Sequence, residues 1–204
     1  MPSVMQHLQA AQFLWPQGDA LCFIGALAPD GMPAWAAKED AHLRSVPNRA
    51  AALAALAKQT DPANTFAEAA LLHLFLDWRW DIGPLRRFIE TRGCRLGQDF
   101  GGRPPWLEEY HAELGLLSAS QYRSLPWSKD VFSLIEALPL AQYPTLPGMT
   151  AGDIDGFIRR NRRWLEKHLD SPPSVAFPDT LAEDFMQKAV AGYLAWRKES
   201  PYAG

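Results

Sequence analysis

The sequence predicts an all-α fold: one multi-helix domain over residues 1–204, packed around a central buried helix at about 66–80. Three observations lead there. Phe66 to Trp80 holds no glycine or proline and is apolar nearly all round. Phe66, Ala69, Ala70, His73 and Leu76 fall on one side, and Ala67, Leu71, Leu74, Phe75 and Trp78 on the other; such a helix is one that neighbours surround. The other apolar runs recur at helical spacing between capping residues and prolines. Finally, 48% hydrophobic and 21% charged residues in 204 are enough for one good core and too apolar for disorder.

In chain order, Ser3 caps a short helix with Val4, Leu8 and Ala11 inward, stopped at Trp15-Pro16. Residues 20–36 admit two forms. Pro29-Asp30-Gly31 is a turn signal, and the apolar runs beside it can pair as a small N-terminal β-hairpin. Asp19 can instead cap a short buried helix through Ala28. The helix is the expectation, because Ala and Leu dominate and Pro33 weakens a second strand. Ser45 and Pro47 open a helix from Asn48 to about Lys58, built on the strong helix former AALAALA.

Thr65 with Glu68 reads as a capping box for the central helix. Asp81-Ile82-Gly83-Pro84 reads as its stop, with Pro84 opening a second helix that ends at Gly93. Residues 93–105 are an irregular Gly- and Arg-rich loop. A helix follows from Trp106 to about Leu116, and a second capping box at Ser118 and Gln121 starts a short one before Pro126. Ser128 caps a helix carrying Val131, Phe132, Ile135 and Leu138 inward. After a proline-rich crossing, Thr150 with Asp153 starts a long helix to about Leu169. Thr180 with Glu183 caps the last, to about Lys198.

Charge and cysteine usage narrow the function classes. A formal charge of −3 gives no global attraction to nucleic acid or anionic lipid. Two cysteines, Cys22 and Cys94, do not make a disulfide framework. The N-terminus lacks the order of a signal peptide, and no apolar run reaches the roughly 18 residues of a membrane helix. A cytoplasmic protein without membrane contact is the expectation.

Several constellations carry candidate chemistry. His73 with Asp77, four apart on the central helix, reads first as a core histidine whose carboxylates, Asp77 and Asp81, pair with Arg79, Arg86 or Arg87. The alternative is a catalytic pair, since a buried histidine beside a carboxylate can act as a general base. Glu39 with His42 and Glu108 with His111 are each three apart, a spacing that lets both side chains reach one metal ion. Chance pairs are common among 23 acidic residues and five histidines. The Asp99-Phe100-Gly101 trigram lacks every other kinase element and carries nothing.

Two surfaces suit partners. Four of the eight tryptophans, Trp15, Trp35, Trp106 and Trp127, sit beside prolines, where a ring either plugs a loop or stands out as an anchor. Arg95, Arg103, Trp106, Tyr110 and Trp127 form the first candidate contact surface. The second is the cationic face of the long helix, Arg159, Arg160 and Arg163, facing outward from Ile154, Ile158 and Leu165. The sequence thus predicts a non-enzymatic protein-binding domain, an adaptor, regulator or inhibitor that needs no cofactor. An enzyme with a carboxylate–histidine site, metal-dependent or not, is the alternative. Nucleic-acid binding through the Arg-rich helix is the second alternative.

Overall fold

A computed structural model describes residues 2–203, apart from the side chain of Trp35. Among the described residues every regular element is helical. Ser3 precedes α1 (Val4–Leu14), its amide donating to Gln6 Oε1 at 2.7 Å. Asp19 caps α2 (Ala20–Leu27), accepting from the Cys22 amide at 2.9 Å. A 3-10 turn over Ala28–Gly31 follows, so residues 20–36 hold helix and no hairpin. Then come α3 (Trp35–Ala41), α4 (Arg49–Gln59) capped by Asn48, and α5 (Thr65–Trp80).

Helix α5 is the one that neighbours surround: α1, α2, α4 and α10 all pack on it. Its closest partner is α2. A Cβ added at Gly25 would lie 2.2 Å from the Phe66 carbonyl oxygen, so the two backbones approach as only glycine allows. The start of α5 differs from the sequence expectation. Asn64 is the cap, accepting from the Ala67 amide at 3.1 Å. Glu68 instead reaches across the fold to Arg197 Nε, at 3.0 Å, and to the Tyr193 hydroxyl. A long-range ion pair outcompetes the local cap.

The proline does not end the helix either. Asp81–Leu85 widens into a π turn that absorbs Pro84, and the chain runs on as α6 (Arg86–Glu90). Gly93 follows at φ +69°, beyond the helix end as expected. Beyond the 93–106 loop, α7 runs unbroken over Leu107–Ser124. Ser118 and Gln121 lie in its interior, where Gln121 donates to Gln9 Oε1 at 3.0 Å. That tertiary partner replaces the expected capping box. Trp127 precedes α8 (Ser128–Ala137), and the Ser128 hydroxyl bonds the Tyr122 carbonyl instead of capping. Thr150 and Asp153 do form their box at the start of α9 (Ala151–Lys167). Pro178, not Thr180, precedes α10 (Asp179–Glu199).

Two apolar clusters result. One gathers α2, α8 and α9 around Phe23, Ile24, Phe132 and Ile158; the other gathers α5, α7 and α10 around Phe75, Trp80, Leu117 and Tyr193. Helices α1 and α5 contribute to both clusters. Among the described residues no helix is long and apolar enough to cross a membrane.

Candidate metal centre

The helices shared by the two clusters carry the polar residues buried there. On α5, His73 and Asp77 share a face through their four-residue spacing, with Nε2 3.8 Å from Oδ2. Helix α1 brings His7, whose ring stacks on His73 with centroids 3.7 Å apart. The 3-10 turn brings Asp30, and the residue closing α3 is His42. His7, His42, His73 and Asp77 have no solvent exposure, and Asp30 very little.

The ring nitrogens define what this cluster can hold. His42 Nδ1 lies 2.6 Å from the Lys38 carbonyl oxygen, and His73 Nδ1 lies 2.7 Å from that of Ala26. A carbonyl only accepts, so both Nδ1 atoms carry a proton, and the Nε2 atoms are the ones turned to the cluster. Those two Nε2 atoms face each other at 3.2 Å. Asp77 Oδ2 and Asp30 Oδ1 each lie 3.4 Å from the same His42 Nε2, and His7 Nε2 lies 3.3 Å from Asp77 Oδ1. Nitrogen and carboxylate atoms of metal-ligand type converge here, with the Lys38 ammonium 2.7 Å from Asp30 Oδ1.

Distance distinguishes a proton from a metal ion. A proton on His42 Nε2 would draw a carboxylate to about 2.7–2.9 Å. Ligand atoms around a four-coordinate ion, each about 2.0–2.1 Å from the metal, stand about 3.3 Å apart. His42 Nε2 stands 3.2–3.4 Å from His73 Nε2, Asp77 Oδ2 and Asp30 Oδ1, near the second case, while His73 Nε2 and Asp77 Oδ2 are wider apart at 3.8 Å. The Nδ1–carbonyl contacts are also the outer hydrogen bonds that orient metal-binding imidazoles. Two overlapping ligand groups meet here, His7–Asp30–His73 and His42–His73–Asp77. Both nitrogens of His7 and both oxygens of Asp77 lack a hydrogen-bond partner.

Electrostatics prepares the same set. Burial first, then the neighbouring His7, pushes His73 down to about 3, so its ring is neutral near neutral pH. Burial works against ionisation of Asp77, and it is positive charge on His73, His7 or His42 that holds the carboxyl below the usual range. Asp30 is likewise held low against its burial, by His42 and by Lys38, whose Nζ sits 2.7 Å from Oδ1. Metals bind neutral histidine and ionised carboxylate, and His73 is held neutral here.

A second layer joins the centre to a groove. Arg44 bonds Asp81 through Nε and Nη2, at 3.0 and 2.8 Å, and its Nη2 lies 3.9 Å from Asp77 Oδ2. Arg49 reaches the same Asp81 oxygen at 2.8 Å. Leu43, between His42 and Arg44, takes the left-handed conformation at φ +55°, costing roughly 1–2 kcal/mol for a non-glycine residue. Leu43, Arg44, Arg49 and Asp81 all line a groove of about 710 Å³.

Of the sequence candidates, His73 and Asp77 lie at the centre, joined by His42. Their arginine partners are not those expected: Arg44 and Arg49 face Asp81, while Arg86 pairs with Glu90 and Arg79 lies over the Trp78 ring. Glu39, Glu108 and His111 join neither ligand group. Glu39 pairs with Arg44 at 3.2 Å, exposed Glu108 pairs with Arg103, and His111 lines the groove. Arg95 and Arg103 are exposed on the 93–106 loop. Trp106 lines the groove with buried Tyr110, whose hydroxyl accepts from Trp80 Nε1 at 2.8 Å. Trp127 and Trp15 are partly buried against the core, and Trp35's side chain lies outside the described residues. On α9, Arg159 pairs with Asp155, Arg160 is exposed, and Arg163 bonds the Arg159 carbonyl. Sequence reasoning missed His7, Asp30, Arg44 and Arg49. The one local signal was His7 at helical spacing from Val4 and Ala11, on an inward face. No family model, curated protein or solved structure matches the chain.

Proposed function

We propose that the chain is a metal-dependent enzyme in which His42, His73 and Asp77, with Asp30 and His7 beside them, hold a divalent first-row transition ion. One observation carries this reading: the Nε2 atoms of His42 and His73 meet at 3.2 Å beside Asp77 while both Nδ1 protons are committed to carbonyls. The donor set favours catalysis over scaffolding. Structural zinc sites are rich in thiolate, whereas histidine–carboxylate sets are typical of ions that act on substrate. Held there, such an ion would supply water activation near neutral pH, the chemistry of hydrolysis. The groove beside Arg44 supplies room for a substrate one side chain away from Asp77.

Elemental analysis of the purified protein tests the reading. Stoichiometric zinc, manganese or iron is expected. It is lost in His42→Ala and Asp77→Asn and kept in Glu108→Gln, which removes an exposed carboxylate outside the centre. Wild-type protein that retains none of these ions after dialysis against each would overturn it. A second reading, non-enzymatic protein binding, draws support from the loop carrying exposed Arg95 and Arg103, which also lends Leu96, Gly97 and Pro104 to the groove. Affinity capture on this loop, with Arg103→Ala as the control, tests it.

A further inference from the structure

One ring of the cluster is badly placed to share an ion with His73. His7 stacks on it with centroids 3.7 Å apart and planes only 9° from parallel. An imidazole lone pair lies in the plane of its ring. An ion held by His73 therefore stands close to the stacking distance out of the His7 plane, well beyond a metal–nitrogen bond of about 2.0–2.1 Å. Yet His7 is fully buried, and neither of its nitrogens has a hydrogen-bond partner. Buried polar atoms are almost always partnered, so both need an explanation.

Asp77 offers the complement. Its Oδ2 stands 3.4 Å from His42 Nε2 and 3.8 Å from His73 Nε2, while its Oδ1 stands 3.3 Å from His7 Nε2. Both oxygens are buried and make no hydrogen bond. A carboxylate divided in this way can bind one ion through each oxygen. Asp30 adds a further ligand, with a carboxylate oxygen within 4.8 Å of a His7 nitrogen. The spacing agrees as well: ions in two-metal sites stand about 3.5–4 Å apart, and the stacked rings are 3.7 Å apart.

We propose that the cluster holds two divalent transition ions bridged by Asp77, one on His42, His73 and Oδ2, the other on His7, Asp30 and Oδ1. The second site rests on the metal-centre reading and deepens it. Two neighbouring cations repel, and the Lys38 ammonium, 2.7 Å from Asp30 Oδ1, competes for the same carboxylate. The second ion is therefore the weaker of the two.

Manganese(II) is the probe, because its paramagnetic resonance distinguishes an isolated ion from a coupled pair. Chelator-treated protein is dialysed against rising free manganese(II), and bound ion per chain is read by elemental analysis. Two successive steps are expected, ending at two ions per chain. The resolved hyperfine signal of the first ion should disappear as the second step fills. His7→Phe keeps a ring stacked on His73 and removes both nitrogens; it should stop at one ion and keep the isolated-ion signal. Thermal melts show whether this variant folds, and if it does not, the wild-type stoichiometry and signal decide alone. One ion per chain at saturation, two ions without coupling, or two ions in folded His7→Phe overturns the proposal and leaves the single-ion centre standing. Folded His7→Phe that binds none also overturns it, since His7 would then belong to the first ion. No bound ion in the wild type removes both readings.

Discussion

Metal should raise the melting temperature of the wild-type protein and fail to do so in Asp77→Asn. The perturbation is minimal, since asparagine has the shape of aspartate but replaces one charged oxygen with an amide. Asp77 Oδ2 faces both His42 Nε2 and His73 Nε2, at 3.4 and 3.8 Å, and Oδ1 faces His7 Nε2, at 3.3 Å. The substitution therefore reaches each histidine of the centre. A ligand present at about 100 times its dissociation constant stabilises the folded state by about 2.7 kcal/mol. In a chain of this size each kcal/mol raises the midpoint by about 2–4 °C, which gives an upward shift of about 5–11 °C. The assay is a thermal melt of chelator-treated protein with zinc, manganese or ferrous ion added back. Glu108→Gln, changed at an exposed carboxylate, should keep the full shift. The reasoning fails if no ion moves the wild-type midpoint, or if Asp77→Asn shifts as far as wild type does.

Three more predictions follow from the packing and the buried charges. In metal-free protein, burial holds folded His73 down to about 3 against an ordinary histidine value of about 6.5, so the unfolded chain binds the extra proton between those limits. Stability should therefore fall as pH drops below about 6.5, by up to about 1.4 kcal/mol per pH unit, and urea midpoints measured across that window would show it; a flat profile refutes the burial of a neutral ring. Gly25→Ala should cost several kcal/mol or abolish folding, because its Cβ would press on the Phe66 backbone and not on a side chain that can swing away; a denaturant midpoint near wild type refutes the close approach. Glu68→Ala should cost about 3–5 kcal/mol in the same assay, since it strands the Arg197 guanidinium and the Tyr193 hydroxyl.

The sequence made legible what depends on neighbours along the chain. The unbroken apolar run of α5, the Asp19 cap and the Thr150–Asp153 box are local, and the structure contains all three. The expectations that failed were local signals outbid by distant partners. Glu68 has the capping spacing but finds Arg197, and Gln121 has it but finds Gln9. Pro84 cannot donate, yet a π turn removes the need for its hydrogen bond, so a helix break was read where the helix only widens. The centre divides in the same way. His73 and Asp77 sit on one helical face and were visible as a pair. His7, Asp30 and His42 come from three other elements, joined to α5 only by the packing of α1, α2 and the 3-10 turn. No spacing in the sequence encodes that meeting.

Whether the centre exists for stability or for chemistry can be decided by removing it. Helix α5 is buried on nearly all sides, and His73 and Asp77 interrupt its apolar surface at complete burial. Buried ionisable groups are poor stabilisers: replacing a buried pair with apolar residues of similar volume is often neutral, or stabilising by about 1–4 kcal/mol. The His73→Leu, Asp77→Leu double variant tests this directly. It removes a carboxylate with two unpaired oxygens and a ring whose Nε2 meets another, while Asp30 keeps Lys38 and Asp81 keeps Arg44 and Arg49. If the centre is retained for function, the metal-free variant should be as stable as metal-free wild type or more so, and metal should no longer raise its midpoint. A polar network kept for the fold would behave oppositely, losing about 3–5 kcal/mol as its remaining members are stranded. Urea denaturation of both metal-free proteins distinguishes the two, and a loss of that size would mean that the buried histidines and aspartates serve the architecture and not a bound ion.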